Sequence, residues 1–345
     1  MGEIKFPPQD VLQLKSYYLS SSVHVDSIDY LIGYNYRLHS LDCMNLKSKS
    51  VTQIVLPGDG PDAIVRLSGI YAQSLDSVWI SDESERAFLI DSVGTIKRMI
   101  DLKKYLEDQE QLLINTNYAM FTSHLFYNAS RHSLMFLVKH TPSNTFIVKE
   151  AFIDEVGKMA TYQLSSSKVV PDMSKGYAYI NFPNVNFVGE NIVYNYPVES
   201  SIYMLDIRTN ERKYILADSH YTSNIIEKCT TSGDYATLEK HWLENSHFYD
   251  IMYLPKYKIY ARLHADKVDF DEKKGMEKLI NERDLYLMLF DENMEKIGET
   301  KLSNCRYSPF TSWNATYGGI ALFVDNVLDE KNNTDDLTID IISLK

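Results

Sequence analysis

The sequence is poor in cysteine, and its cysteines lie far apart. Cys43, Cys229 and Cys305 are the three cysteines among 345 residues, and no CxxC pair occurs. An odd and widely spaced set excludes a disulfide framework and a metal site of the CxxC type, because both need paired thiols. The chain must instead be held by a hydrophobic core, for which its 44% of hydrophobic residues suffice.

Long apolar runs are also absent from the sequence. No segment approaches the ~20 apolar residues of a membrane-spanning helix. Residues 1–5 (MGEIK) begin a segment without the apolar centre of a signal peptide. Two interpretations stay open from the residues alone: the protein is cytosolic, or its export segment is not part of this sequence.

Lysine and arginine are also scarce relative to the acidic residues. The chain has 35 lysines and arginines against 47 aspartates and glutamates, a formal net charge of −12, with no basic stripe. Proteins that bind nucleic acids or anionic lipids cluster lysine and arginine to neutralise phosphate groups. We therefore expect no nucleic-acid partner, and we expect the acidic surface to serve solubility.

Strand-forming residues are plentiful, and they repeat. The chain has 25 tyrosines and many β-branched residues. A short apolar strand recurs at intervals of 48 to 67 residues, beginning at Asp29, Ser77, Ser133, Asn191, Lys258 and Gly318. Blades of four strands around a central channel are the usual outcome of such a repeat. We predict one all-β domain, a six-bladed β-propeller of four-stranded antiparallel blades.

An aliphatic residue followed by aspartate marks the end of a strand in each repeat. An aspartate carboxylate accepts hydrogen bonds from turn amides, so we interpret these residues as turn formers rather than catalysts. They are Asp42, Asp91, Asp154, Asp206, Asp291 and Asp340.

The last repeat lacks a strand. The predicted blades cover residues 21–56, 68–102, 121–164, 184–217, 247–302 and 306–344. Residues 11–19 alternate like a strand. We predict that this N-terminal strand completes the last blade, because closure of the ring removes an exposed sheet edge.

The connections differ in length between the two ends of the predicted ring. Turns from first to second and from third to fourth strand share one end, here called the short-turn face. The opposite end, the long-connection face, receives the segments 57–67, 103–120, 165–182, 218–246, 265–283 and 325–336. We expect binding on the long-connection face, because function concentrates on loops carried by a rigid scaffold.

Two long connections carry helical patterns, at residues 234–245 and 271–283. We interpret both as helices that cap the channel, and a lid over a ligand site is the alternative. The acidic residues near 266–272 are interpreted as a solvated helix start. His124, His132 and His140 have no cysteine or carboxylate that would complete a zinc site.

The candidate site residues come from two places. Aromatic side chains with polar neighbours on the long-connection face could hold a sugar or a peptide. These are Tyr249, Trp242, Tyr221, His220 and Arg262. Asp250, Asn184 and Asn186 lie in predicted first strands beside the axis, where propeller hydrolases and lactonases hold a metal. Carboxylates are too few there for a metal site, so we predict no metal, no cofactor and no catalytic residue, and an enzyme remains the alternative hypothesis.

Two motifs resemble a known family. Residues 58–64 (GDGPDAI) precede residues 76–80 (DSVWI), and Tyr249-Asp250 lead into residues 257–262 (YKIYAR). This pattern resembles a family of uncharacterised six-bladed propellers from gut Bacteroides and relatives, the domain of unknown function catalogued as 4221, within the TolB-like group. The resemblance implies export, often as a lipoprotein with a lipid-bearing N-terminal cysteine, which this sequence does not show. It implies no catalytic residues.

The residues favour a propeller that binds or scaffolds a peptide, a protein or a glycan on its long-connection face. The resemblance implies that this propeller belongs to the cell envelope, periplasmic or anchored in the outer membrane. The alternative is a hydrolase or lyase of the lactonase type that uses the axial channel. A purely structural partner of an envelope complex is a third possibility.

Overall fold

The computed structural model describes residues 2–7, 14–113, 125–155, 157–169, 182–229, 234–309, 312–331 and 335–344. Its strands are, in chain order, β1 (Gly2–Phe6), β2 (Ser20–Val25), β3 (Ile28–Asn35), β4 (Ser40–Asn45), β5 (Val51–Val55), β6 (Leu67–Ser74), β7 (Ser77–Asp82), β8 (Arg86–Ile90), β9 (Ile96–Asp101), β10 (Glu110–Leu112), β11 (Phe126–Asn128), β12 (Ser133–His140), β13 (Thr145–Phe152), β14 (Met159–Gln163), β15 (Asn184–Val188), β16 (Asn191–Asn195), β17 (Ile202–Asp206), β18 (Arg212–Ile215), β19 (His247–Leu254), β20 (Ile259–Ala265), β21 (Leu285–Phe290), β22 (Lys296–Lys301), β23 (Trp313–Thr316), β24 (Gly319–Phe323) and β25 (Leu337–Ile342). The helices are α1 (Tyr235–Leu243) and α2 (Met276–Asn281), with a 3₁₀ turn at Leu102–Tyr105.

These strands form six antiparallel sheets, one for each blade of a propeller, so the predicted fold is confirmed. Blades 1 to 6 begin at β2, β6, β10, β15, β19 and β23, and the strands of each blade pair in sequence order. Blade 3 departs from four simple strands. Its first position is shared by β10 and β11, which pair with opposite ends of β12.

The ring is closed by the N-terminal strand, as predicted, but by other residues than expected. Strand β1 pairs antiparallel with β25, from Gly2 opposite Ile341 to Phe6 opposite Leu337. Residues 14–19, part of the predicted strand, lie in no sheet, and residues 8–13 are outside the described residues. The correction has a local reason: Tyr17 buries its ring over Gly33, where a Cβ atom would collide with it. The apolar alternation of this segment thus serves packing rather than strand pairing.

Six hydrophobic clusters hold neighbouring blades together, one at each interface of the ring. The second strands are buried on both faces, as in β12, where Ser133 to Val138 are all buried. A strand packed on both faces needs apolar residues at successive positions. This requirement explains the continuous apolar runs by which the sequence repeat was found.

The six aspartates that end the strands fall into three groups. Asp154 is exposed and accepts a hydrogen bond of 3.0 Å from Arg98 Nη1. Asp91, Asp206 and Asp291 each accept two backbone hydrogen bonds within the following turn, so the prediction is confirmed for them. Asp42 and Asp340 lie inside third strands, are buried, and bind other side chains instead. The turn prediction was wrong for these two, because each carboxylate is buried inside its strand and is bound by side-chain donors rather than by turn amides.

Both predicted helices are present and lie on the long-connection face, in the connections before β19 and before β21. Neither α1 nor α2 is long and apolar enough to cross a membrane, and the described part of the chain has no other α-helix.

Arg306 fastens the closing strand. Its guanidinium forms two hydrogen bonds with the Asp340 carboxylate, at 2.5 and 3.0 Å, and a third with Glu3 of β1 at 2.9 Å. Asp340 is buried on β25, and it also accepts a bond of 2.8 Å from the Tyr307 hydroxyl. The guanidinium lowers the pKa of the Glu3 carboxyl through this hydrogen bond. One side chain thus joins both ends of the chain.

We expect Arg306→Ala to lower the free energy of unfolding by about 2 kcal/mol, because it leaves the buried Asp340 carboxylate without a guanidinium. Urea unfolding followed by circular dichroism measures the change. Arg66→Ala is the matched control, since Arg66 forms an exposed pair with Glu83 at 3.6 Å, and such a pair contributes about 0.5 kcal/mol or less. Equal effects of the two substitutions would show that Arg306 does not secure the ring.

Candidate functional site

The helices of the long-connection face are fastened together by Arg283. The buried guanidinium donates to the carbonyl oxygens of Asn245 at 2.6 Å and Asp266 at 2.7 Å, and its centre lies 4.8 Å from the ring of Trp242. Burial lowers the pKa of Arg283. Trp242, a predicted site residue, is 3% exposed. Its indole therefore packs in the hydrophobic cluster that α1 and α2 share with blades 3 and 4.

Arg262 lies between blades 4 and 5, and its side chain is fully buried. Nη1 donates to the carbonyl oxygen of Ser200 at 2.6 Å and Nη2 to that of Ala217 at 3.0 Å. The guanidinium lies over the rings of Phe248 and Phe290, 4.7 and 5.7 Å from their centres. Burial lowers the pKa of Arg262 to about 9. A guanidinium without surface access cannot meet a ligand there, so we correct its assignment from binding to packing.

His220 and Tyr221 lie on the outer side of the same interface, in the connection before β19. Both are exposed, and the Tyr221 ring stacks on Tyr286 with centres 4.9 Å apart. Tyr286 stacks on His264 at 5.0 Å, and His264 on Phe248 at 5.5 Å. Burial, the largest cause, lowers the pKa of His264 to about 3. This column of rings leads into the interface, so His220 and Tyr221 are separated from the axis.

Tyr249 is the third predicted site residue, after Trp242 and Arg262, that the structure places in packing. It is 2% exposed, and its ring meets Trp313 edge to face at 4.6 Å and His247 at 4.5 Å. Burial raises the pKa of Tyr249 to about 12. The phenol therefore joins blade 5 to blade 6 at the start of their first strands.

A β-bulge in the first strand of blade 5 decides where Asp250 lies. The pairing of β19 with β20 shifts register between Phe248 and Ile251. Asn184 Nδ2 donates to the Phe248 carbonyl oxygen at 3.0 Å, and Asn186 Nδ2 to that of Ile251 at 2.9 Å. The two asparagines thus hold the backbone on both sides of the bulge and tie blade 4 to blade 5. Bulges re-aim side chains beside functional sites, and this one turns Asp250 toward the axis.

Asp250 and Asn186 line the axial channel. The channel contains a cavity of about 440 Å³ that is lined by residues from the first strands of all six blades. The cavity reaches Gly189, Pro255 and Tyr317, which lie in or beside turns between first and second strands. Its mouth is therefore on the short-turn face, opposite to the face on which the sequence led us to expect binding.

The two sides of the cavity differ in polarity. On blades 2 to 4, Tyr71 meets Phe126 edge to face at 5.1 Å, and Phe126 stacks on Phe187 at 4.8 Å. On the junction of blades 6 and 1, Asn314 Nδ2 donates to Ser20 Oγ at 2.7 Å, and Ser22 Oγ donates to the Ala315 carbonyl oxygen at 2.6 Å. An aromatic wall facing a polar wall suits a ligand with both kinds of surface.

The mouth carries a group of residues that the sequence analysis missed. Asp29 accepts hydrogen bonds from His24 Nδ1 at 2.7 Å, from the Tyr317 amide at 3.1 Å and from the Gly318 amide at 2.8 Å. The His24 ring stacks on Tyr317 with centres 4.2 Å apart. The available signal was positional, since Asp29 opens the first repeat strand and Gly318 opens the last. Their contact follows from closure of the ring.

The deeper carboxylate, Asp250, is 4% exposed and accepts a hydrogen bond of 2.9 Å from Trp313 Nε1. The asparagine amides that we grouped with it are bonded to the backbone of blade 5, so the three side chains do not converge on one point of the axis. Among the described residues, no group of three or more His, Cys, Asp or Glu side chains is placed to hold a metal ion.

The family model of a domain of unknown function, DUF4221, matches residues 8–301. The chain belongs to the DUF4221 family. No curated protein matches the sequence of this DUF4221 propeller.

Two solved structures share the fold of the DUF4221 propeller. A DUF4221 member from Bacteroides vulgatus has a TM-score of 0.79 at 14% identity, over 100% of this chain and 98% of the other. A Bacteroides fragilis protein inferred to be exported has a TM-score of 0.52 at 11% identity, over 99% and 95%. At these identities the similarity is one of fold. The resemblance that the sequence motifs suggested is confirmed.

We expect Arg262→Ala to destabilise this DUF4221 propeller by about 3 kcal/mol or more, because it removes a buried cation and leaves two carbonyl oxygens without their donor. Urea unfolding measures the loss. Arg208→Ala is the matched control, since Arg208 is exposed in the turn after β17, and we expect a change within about 0.5 kcal/mol. Unchanged stability of the Arg262 variant would return this residue to the list of binding candidates.

Proposed function

We propose that this DUF4221 propeller is a ligand-binding protein of the cell envelope that receives part of a peptide, protein or glycan in the mouth of its axial channel. The observation that carries the proposal is the cavity of about 440 Å³ formed by the first strands of all six blades. Concave, partly aromatic sites of about 300–1,000 Å³ are the usual places where proteins hold small groups.

The short-turn face is the better candidate for the binding face. On the opposite face, the predicted site residues Trp242, Tyr249 and Arg262 are all buried in packing. Of the eight candidates, Asp250 and Asn186 line the cavity. We therefore assign these two to the binding site, together with Trp313 and the mouth residues His24 and Tyr317.

The envelope part of the proposal draws on relatives. The Bacteroides fragilis protein of similar fold is inferred to be exported, and the family resemblance implies export for many members. A ligand-binding propeller in the envelope would meet peptides and glycans outside the cytoplasm. Fractionation of cells that express the natural gene tests this part: recovery in the cytoplasmic fraction would contradict it.

We expect Ser22→Trp to abolish binding of the peptides or glycans that an array screen identifies, or to weaken it at least tenfold. Ser22 lines the cavity and is half-buried, so an indole at this position fills space that a ligand would occupy. Isothermal titration calorimetry with the array hits measures the loss.

Ser343→Trp is the control for this substitution, because Ser343 is exposed just beyond β25 at the outer part of blade 6. Circular dichroism confirms that both variants fold. Equal binding by wild type and Ser22→Trp would place the ligand elsewhere and refute the channel proposal. Conversion of a bound hit into products would favour the alternative hypothesis of an enzyme.

A further inference from the structure

We propose that the channel takes a cationic group, a primary ammonium or a guanidinium at the end of a flexible chain such as a lysine or arginine side chain. This inference rests on the proposed function, because it names the ligand chemistry of the same cavity. Its first basis is the sign of the charge. The described lining includes two carboxylates, Asp250 and Asp29, and one histidine, His24, but no lysine or arginine.

The second basis is the place of the deeper charge. Asp250 is 4% exposed, and the cavity that it lines is also lined by the apolar rings of Phe126 and Phe187. A buried carboxylate beside apolar rings is poorly screened by water, so it attracts ions of the opposite sign more strongly than an exposed one. The net charge of −12 adds to the same attraction at longer range.

The third basis is the pairing of the carboxylate with an indole. Trp313 Nε1 donates to Asp250 Oδ1 at 2.9 Å, so the indole ring adjoins the negative charge. Both groups line the cavity. An ammonium or guanidinium gains from a carboxylate and from the electron-rich face of a tryptophan. An anionic ligand would meet charge of its own sign at this depth and be repelled.

The size of the cavity limits what can enter. A volume of about 440 Å³ accommodates one long side chain or a small amine, but not a folded domain. The aromatic wall formed by Tyr71, Phe126 and Phe187 suits the methylene chain behind the charge. The ligand thus enters end first from the short-turn face, past His24 and Tyr317 at the mouth.

Three probes of equal length test the sign of the charge on the wild-type protein: hexylamine, hexanol and hexanoate, titrated by calorimetry at pH 7 and low salt. Hexylamine is protonated at this pH. We expect it to bind at least tenfold more tightly than the other two, with an affinity that falls as salt is added. Equal or tighter binding of hexanol or hexanoate would overturn the proposal, and so would the absence of hexylamine binding.

A substitution locates the charge that is responsible. Asp250→Asn removes the charge but keeps an oxygen for Trp313 Nε1, so we expect a folded protein that binds hexylamine at least tenfold more weakly. Asp269→Asn is the control, because it removes the same charge from an exposed site on the long-connection face. Undiminished hexylamine binding by Asp250→Asn, or an equal loss in Asp269→Asn, would contradict the assignment.

Two further experiments complete the test. The first distinguishes a cation carried by a peptide from a free amine, and the second distinguishes failure of the cationic-ligand proposal from failure of the channel proposal. Nα-acetyl-lysinamide and Nα-acetyl-argininamide present the cation as a peptide does, and binding tighter than that of hexylamine would favour a peptide source over a free amine. Neutral array hits that bind wild type and are lost in Ser22→Trp would refute the cationic ligand and leave the channel function standing. Hits that survive Ser22→Trp would refute both.

Discussion

Closure of the ring is the constraint on which the rest of the molecule depends. The hydrogen bonds between β1 and β25 bring the first and last strands into one blade, and Arg306 binds a carboxylate from each strand. The polar wall of the channel depends on the same closure, because Asn314 of the last blade bonds to Ser20 of the first. The cavity thus exists only when the two ends of the chain have met.

Charged groups inside the ring serve two different purposes. At the interface of blades 4 and 5, the Arg262 guanidinium donates to carbonyl oxygens and lies on two rings, so its charge is used for packing. At the axis, a bulge held by Asn184 and Asn186 turns the Asp250 carboxylate toward a cavity. A buried charge that is surrounded by backbone carbonyl groups is inaccessible to a ligand, whereas a charge on a cavity wall can interact with a ligand that enters the cavity.

The fold could be predicted from the sequence because its signals are local: apolar strands at regular intervals, turn aspartates such as Asp91, and the helical spacing of α1. The site could be predicted only in part. Arg262 lies in a second strand with both faces packed, where strict alternation does not tell a buried residue from an exposed one. The contact of Asp29 with Gly318 joins residues at opposite ends of the chain, and no local pattern indicates it. The closing strand was misplaced for a similar reason, because residues 11–19 and 2–6 both alternate and only the register with β25 distinguishes them.

The direction of the closing strand determines which face of the propeller points outward when the protein is attached through one of its termini. Because β1 runs antiparallel to β25, Gly2 lies beside Ile341, at the end of the blade that carries the turns between first and second strands. Both ends of the described chain therefore leave the ring on the side of the channel mouth. A support joined at either terminus would therefore face the side of that opening and turn the opposite side, with its two helices, outward. Attachment through an engineered residue on the helical side would leave the opening free.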